Sequence, residues 1–396
     1  MGIEGFAELP LHDGHVPPHL LYYMKHLGRA IAMYIVDVFG PETLVRRLAD
    51  PLWFQAFNNV IGMDWDSSGS TTVVLYVLKS FANADTFGEV GFAVLGGKGA
   101  DSRGVKDEVE KLANYGLDPE YLRFVSRFSA KVDGTALQDG YTLYIHSLIV
   151  SEKGLWTVVQ QGMNIAKKMA RRYHIHTSSL TAERDPHSGI ACNTTSPVLN
   201  LVDSMSNRVR KAIVDLISSP RETAKNIAYV NRLLRGDKTL EKWISKTGSA
   251  TNERSAVELA AVNPLFYRPI TDIARIEQTL NSLVNSVIKS FDDVLIHKNV
   301  GPEFIRALAL VADIVYGERP SFRDPVTHAI DPFAYAYAHG GKDGIPFPVK
   351  LDVMRETIEF LEDAINSAKI ESKLKRRALE NLYRYWRALT NTETIA

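Results

Sequence analysis

A single cysteine, Cys192, in 396 residues excludes an internal disulfide framework and every zinc cluster built from cysteines. No run approaches the roughly 18 consecutive apolar residues that a membrane-spanning helix needs. The opening stretch MGIEGFAELPLHDGHVPPHL has neither a basic n-region nor an apolar h-region, so no secretory signal and a cytoplasmic location are expected. Net charge is missing as well: 46 basic residues balance 46 acidic ones. No global field therefore draws the chain onto nucleic acid or an anionic membrane, and any such binding has to come from local asymmetry. There is no internal repeat, and GGKG at 96–99 lacks the spacing of a Walker A loop.

What is present is ordinary globular material, 45% apolar and 23% charged, long enough for two or three domains. Residues 18–60 read as helical, broken at Gly40-Pro41. DSSGSTTVVLYVLKSF (66–81) offers Asp66 or Ser67 as N-cap to a helix, although its β-branched run also suits a strand. EVGFAVLGGKG (89–99) reads as a buried strand entering a glycine-rich loop, and helical patterns follow around 105–115 and 119–130. YTLYIHSLIVSEKGLWTVVQQG (141–162) is a β-hairpin, two β-rich runs separated by Ser-Glu-Lys-Gly. NIAKKMARRYHIH after it reads as basic and helical. Beyond about 195 the strand signal fades, and 270–291 has apolar residues at helical spacing. The expected class is α+β: an α/β domain over 1–195, a helical linker region over 196–286 and a helical domain over 287–396.

The α/β half concentrates acids, amides and histidines at turns. Metal-assisted phosphodiester hydrolysis needs two or three carboxylates around a divalent cation such as Mg2+ or Mn2+. Asp64, Asp66 and Asp133 are the candidate ligands, and Asp64, Asp133, Asp139, Gln160 and His174 the candidate catalytic set. N-capping and turn chemistry explain the aspartates equally well. If 155–161 is a strand, Gln160 and Gln161 face opposite sides, so only one can line a site. His174 and His176, two apart, could share a metal only with a third ligand from elsewhere. HGGKDG (339–344) combines glycines with Lys342 and Asp343, suiting a phosphate cradle or simply a turn.

Charge is distributed unevenly. Residues 201–250 hold ten Lys or Arg against five acids, and 369–389 hold seven against two, with Tyr383, Tyr385 and Trp386 interleaved. Basic and aromatic residues together contact phosphates and stack on bases, so Lys375, Arg376 and Arg377 are candidate DNA contacts. HKNVGPEFIRALAL (297–310) is a bend followed at once by an apolar helix. Lys298 and Gly301 there could hold a phosphate against the helix N-terminus. Alternatively, Pro302 merely opens a helix at its usual first position.

Taken together, ELPLHDGHVPPHLLYYMKHLGRAI, GMDWDSSGSTT, KVDGTALQDGYTLYIHSLI, VVQQGMN, ARRYHIH, VGPEFIRALALVADIVYG, PSFRDP and AHGGKDGIPFPV resemble the domain of unknown function 763 family of archaea and bacteria, from residue 8 to about 350. The family implies no activity. Asp66 departs from it, standing where the resemblance implies histidine, and Glu303 stands near an expected lysine. Residues 300–324 also resemble the helix-hairpin-helix DNA glycosylases. Gly317, Pro320 and Asp324 keep the closing arrangement of that motif, while Glu303 replaces its lysine and the intervening helix is about one turn too long. That resemblance implies a phosphate-binding bend at Gly301 and a catalytic Asp324.

The resulting expectation is a DNA-binding, DNA-processing protein, foremost a metal-dependent nuclease of repair or recombination. The alternatives are a base-excision glycosylase and a non-catalytic DNA-binding scaffold. Association into a homo-oligomer is left open, and no membrane partner is expected.

Overall fold

The computed structural model describes residues 18–327 except 62, 64–67, 193, 237–258, 260 and 285, and beyond them Asp363, Asn366, Ser372 and Arg376. Proline and aspartate punctuate the first helices, α1 (Pro18–Phe39), α2 (Pro41–Leu48) and α3 (Pro51–Val60). Pro41 and Pro51 occupy first turns, where a missing N–H removes no helical bond. The Asp50 carboxylate caps α3, accepting from the N–H groups of Leu52 at 2.8 Å and Trp53 at 3.4 Å. The β-branched run after it is a helix, α4 (Gly69–Lys79), with Val73, Val74, Val77 and Leu78 all buried. Burial on a helical period overrides β propensity there. Short helices α5 (Phe87–Val90) and α6 (Val105–Glu108) flank the first strand, and α7 (Pro119–Lys131) starts on a second Asp-Pro pair, capped by Asp118.

Five strands form one antiparallel sheet: β1 (Phe92–Lys98), β3 (Thr142–Ser151), β4 (Trp156–Asn164), β5 (Met169–Ile175) and β6 (His187–Ala191), in that spatial order. Two short strands, β2 (Leu137–Gln138) and β7 (Leu199–Asn200), pair separately. The 141–162 hairpin is β3 and β4, as its alternation implies. The segment expected to be helical after it is instead β5. Its Ala, Met and Arg residues favour helix intrinsically. Pairing with β4 from Val158 to Asn164 and burial of all seven side chains impose a strand. In β1 the glycines do not form a loop. Gly96 takes φ +80 opposite β3, and a Cβ there would lie 2.4 Å from the His146 carbonyl oxygen, so only glycine fits that approach.

Both faces of the sheet are covered, and the period of two along each strand sorts the side chains. Val94, Ile145, Ile149 and Val159 point to the core shared with α1 to α4. Ala93, Leu95, Leu148, Val150 and Val158 point to the other core. Behind that second face lie α7 and the helices α8 (Asn207–Ser218), α9 (Pro220–Leu234), α10 (Ile273–Val284), α11 (Phe291–Ile296) and α12 (Pro302–Ile314). This second core runs without a break from Ala84 to Ala312. The expected boundaries near 195 and 286 both fall inside it, and the described residues between them share this core with the sheet. The helix α12 is its axis: every residue from Phe304 to Ala312 is buried. Arg306, buried within that run, is met by the carbonyls of Phe266, Arg268 and Pro269 and by Glu303. No helix of the described residues is long and apolar enough to cross a membrane.

A shared core predicts shared unfolding. Leu308→Ala should cost about 2–5 kcal/mol, the usual toll of a buried Leu truncation. In urea titrations of that variant, helix ellipticity and tryptophan emission should move together. Two separated transitions would show that the helical layer and the sheet unfold independently.

Candidate functional site

On the α7 face of the sheet, register lines up three polar residues across three strands: His146 opposite Gln160, and Gln160 opposite Tyr173. Over them lies α7, whose Ser126 and Ser129, with Asp133 beyond, recur at i, i+3 and i+7 and so share one helical face. Asp133 sits just past the helix in a single π-helical turn, Val132–Ala136, a distortion that proteins often keep at functional positions. The two sets join in one chain of hydrogen bonds. Ser126 Oγ lies 2.7 Å from His146 Nε2, and His146 Nδ1 lies 2.9 Å from Gln160 Oε1. Gln160 Nε2 donates to Asp133 Oδ2 and to the Ser129 carbonyl. Asp133 Oδ1 is 2.5 Å from His187 Nε2, and His187 Nδ1 is 2.5 Å from Asp185 Oδ1.

Donors and acceptors along this chain assign its protons. The Gln160 amide NH2 faces two pure acceptors, so its oxygen is the atom turned to His146. His146 must then carry its proton on Nδ1, which leaves Nε2 bare to accept the Ser126 hydroxyl proton. Burial holds the His146 pKa below its ordinary value, against the pull of its Gln160 bond, so the ring is neutral at pH 7. His187 is the opposite case. Both of its nitrogens face carboxylates, to which an imidazolium donates twice; burial raises the Asp133 pKa, while the charge and hydrogen bond of His187 pull it back down. Burial alone would lower the His187 pKa, but the charge and hydrogen bond of Asp133, with those of Asp185, raise it to about 10. Asp185 is held below the usual carboxylate range, the bonds and charge of His187 outweighing its burial.

A second buried cluster adjoins the first. The Arg171 guanidinium, with a fully buried side chain, reaches Asp139 Oδ2 at 2.8 Å and clasps Asp324 at 3.1 and 2.9 Å. Asp139 also accepts from Tyr173 Oη at 2.7 Å and the Tyr141 N–H at 3.0 Å. Asp324 further accepts the Ser196 N–H at 3.0 Å. Asp324, the residue the glycosylase resemblance points to, is thus tied to a buried cation and backbone N–H groups.

The other expected residues divide clearly. Asp133 and Gln160 meet, while Asp139 belongs to the Arg171 cluster next to them. His174 lies on the far face of the sheet, where Nδ1 donates to the Leu48 carbonyl at 2.9 Å and Nε2 accepts from Arg172 at 3.0 Å. Both nitrogens are engaged in packing, which removes it from the catalytic set. His176 bonds the Trp156 carbonyl at 2.7 Å and shares no ligand position with it. Gln161, on that same far face, bonds Thr71, Tyr144 and the Ser68 carbonyl. Asp64 and Asp66 lie outside the described residues, as do Lys342, Lys375 and Arg377; Arg376 is helical and exposed. Both oxygens of Asp133 accept protein donors, one from Gln160 and one from His187. Among the described residues no three His, Cys, Asp or Glu side chains are grouped to hold a metal ion. Ser126 and His187 were missed by sequence reasoning. Spacing signalled the first, through Ser126, Ser129 and Asp133; nothing local signals His187, which depends on strand pairing.

Ser126 is half-buried and opens on a cleft of about 430 Å3, whose wall includes Arg103, Lys106, Arg123, Arg127 and Ile296. Four of its lining residues are cations and one, Glu120, is an acid. Arg123 is paired with Glu110 and with Glu120, so Arg103, Lys106 and Arg127 are the cations that give the cleft its excess positive charge. It ends at the α11–α12 bend. Arg127 donates to the Ile296 carbonyl and Lys131 to that of Val300, and Lys298 and Asn299 stand exposed on the bend itself. Gly301 is the N-cap of α12, in extended backbone and without a side-chain cap bond. The His297 pKa is pushed down, first by burial and then by the charges of Lys298, Lys131 and Arg127, which marks this as a concentration of positive charge.

The chain belongs to the family described as protein of unknown function DUF763, whose model matches residues 5–349. No curated protein and no solved structure gives a match.

The charged His187 predicts a pH signature. A folded pKa of about 10, above the ordinary 6.5, means that the native state holds this proton more tightly than the unfolded chain. The resulting stabilisation is complete below about pH 6.5 and is lost as pH rises towards 10. His187→Gln should lower stability by about 3–5 kcal/mol near neutrality, because Asp133 is left buried without its cation. It should also flatten the alkaline decline measured by urea denaturation. Equal alkaline slopes in both proteins would mean that His187 is not charged.

Proposed function

We propose that this protein binds DNA through the phosphate backbone at the α11–α12 bend and along α7, as a DNA-processing protein. The reading is carried by the convergence of Arg127, Lys131, Lys298 and His297 on a helix–bend–helix element whose second helix begins at an uncapped glycine. A helix N-terminus offers N–H groups and positive potential to an anion, and the surrounding cations extend that potential over the bend. Pro302 donates no N–H, so Gly301, Glu303 and Phe304 are the backbone donors for the phosphate.

A merely capped helix connection would account for Arg127 and Lys131 on their carbonyls. It gives no role to the exposed Lys298 or to the anion-attracting cleft that runs up to the bend. Phosphate contacts position the duplex without reading its sequence, so the expected binding is insensitive to base order. The net charge of zero confines the attraction to this face. No metal-dependent step is assigned to Asp64, Asp66 or Asp133.

Fluorescence anisotropy with labelled single-stranded, duplex and flapped DNA tests the reading. Lys298→Glu should weaken binding about tenfold or more. It should also reduce the slope of log affinity against log salt by about one unit for each phosphate no longer neutralised. Thermal stability of the same variant should remain that of the parent. Wild-type affinity and slope in both Lys298→Glu and Arg127→Glu would assign the bend to packing alone.

A further inference from the structure

We propose that Ser126 is a nucleophile, activated by His146 and oriented through Gln160, that attacks phosphodiesters bound in the Arg103–Arg127 cleft. The choice of substrate class rests on the DNA-binding reading above; the nucleophile rests on its own geometry. Ser126 stands 2.7 Å from His146 Nε2, and His146 stands 2.9 Å from Gln160 on its other side. This is the arrangement of an activated hydroxyl: nucleophile, base and an orienting group, each within hydrogen-bond reach of the next. The orienting group is itself fixed, since Gln160 donates to Asp133 and to the Ser129 carbonyl. Ser126 is a lining residue of the cleft and only half-buried, and its cationic neighbours Arg103 and Lys106 are exposed. A serine that only filled a helix face would need neither the bare imidazole nitrogen nor the cationic cleft.

The reaction balances without a metal ion. As Ser126 Oγ forms a bond to phosphorus, its proton passes to His146 Nε2. The ester oxygen opposite leaves with the bonding pair and takes a proton from water at the cleft mouth. Arg103, Lys106 and Arg127 face the charge that gathers on the non-bridging oxygens. Water then enters from the side the alcohol left and bonds to phosphorus, releasing a proton to solvent. The phosphorus–Ser126 bond breaks, and His146 returns its proton to Oγ. The net change is a phosphodiester and water converted to a phosphomonoester and an alcohol.

Two probes test this on the full-length protein in EDTA: a fluorophosphonate, with the adduct mapped by mass spectrometry, and bis(p-nitrophenyl) phosphate turnover. The expected result is one adduct on Ser126 together with turnover. Both should be lost in Ser126→Ala and fall by about 100-fold or more in His146→Ala, the usual contribution of a general base. In Gln160→Ala, 15N imidazole shifts should show His146 redistributing its proton to Nε2, a change that a packing role would not produce. Absence of the Ser126 adduct, or turnover that survives in Ser126→Ala, overturns the proposal. If His146→Ala does not fold, the near-isosteric Ser126→Ala decides alone. Failure of the DNA reading appears in the Lys298→Glu anisotropy data, separately from the fate of Ser126.

Discussion

A guanidinium with no exposure has to be met by charge from wherever the chain can supply it. Arg171 is placed on the inner face of β5 by strand alternation alone, and the cost of an unpaired cation there would be several kcal/mol. Its two carboxylates come from distant parts of the chain: Asp139 from the turn before β3, and Asp324 from the segment after α12. Satisfying one cation thus fixes how the connection leading into the hairpin, the central strands and the end of the helical layer sit on one another. The same requirement positions the neighbouring chain of bonds, because Asp139 shares a carboxylate oxygen between Arg171 and Tyr173, and Tyr173 lies directly beside Gln160 in register. Arg172, one residue on, turns to the opposite face. It is met by Gln55, the Pro51 carbonyl and His174, and lies 4.5 Å over the Phe54 ring. Two adjacent arginines therefore pin the sheet to both of its covering layers.

That division explains what could be read from the sequence. The hairpin was legible because its alternation is local, and with it the opposed orientations of Gln160 and Gln161. The helix break at Gly40-Pro41 and the helix start at Gly301-Pro302 were legible, whereas the Asp-Pro starts of α3 and α7 were not singled out. The β5 segment was not, since its intrinsic preference is helical and only β4 makes it a strand. Buried arginines were invisible for a related reason: ARRY reads as a solvated basic run until the pairing places both cations indoors. The candidate site was half legible. Asp133, Asp139 and Gln160 stood out as polar residues around a hairpin. Their partners were not legible, because sequence does not reveal that Asp133 meets His187 and Gln160 while Asp139 meets Arg171, Tyr173 and the Tyr141 N–H. The boundary near 195 was inferred from fading strand signal, whereas the core follows packing, and the helices after 195 cover the sheet.

The helix α7 presents two polar stripes. Ser126, Ser129 and Asp133 turn to the sheet. Arg123, Arg127 and Lys131, at i, i+4 and i+8, form a basic row beside them. A chain with no net charge can still present a concentrated positive face when one helix gathers its cations in this way, and screening over about 8 Å at physiological salt confines the field to that face. The bend before α12 lies at the end of the basic row, where Arg127 and Lys131 meet the carbonyls of Ile296 and Val300.

The amide of Gln160 separates two histidines that would otherwise share one electrostatic environment. A carboxylate in its place would hold His146 as an imidazolium, as Asp133 and Asp185 hold His187, and an imidazolium cannot take a proton from serine. A neutral amide oxygen still fixes the tautomer but adds no full charge, so burial keeps His146 unprotonated. The negative charge of Asp133 is absorbed on its other side by His187, which is charged for that reason. One hydrogen-bonded row thus holds a neutral base at the cleft and a compensated ion pair beneath it. The order Ser, His, Gln, Asp, His is what makes the two states compatible at hydrogen-bond spacing.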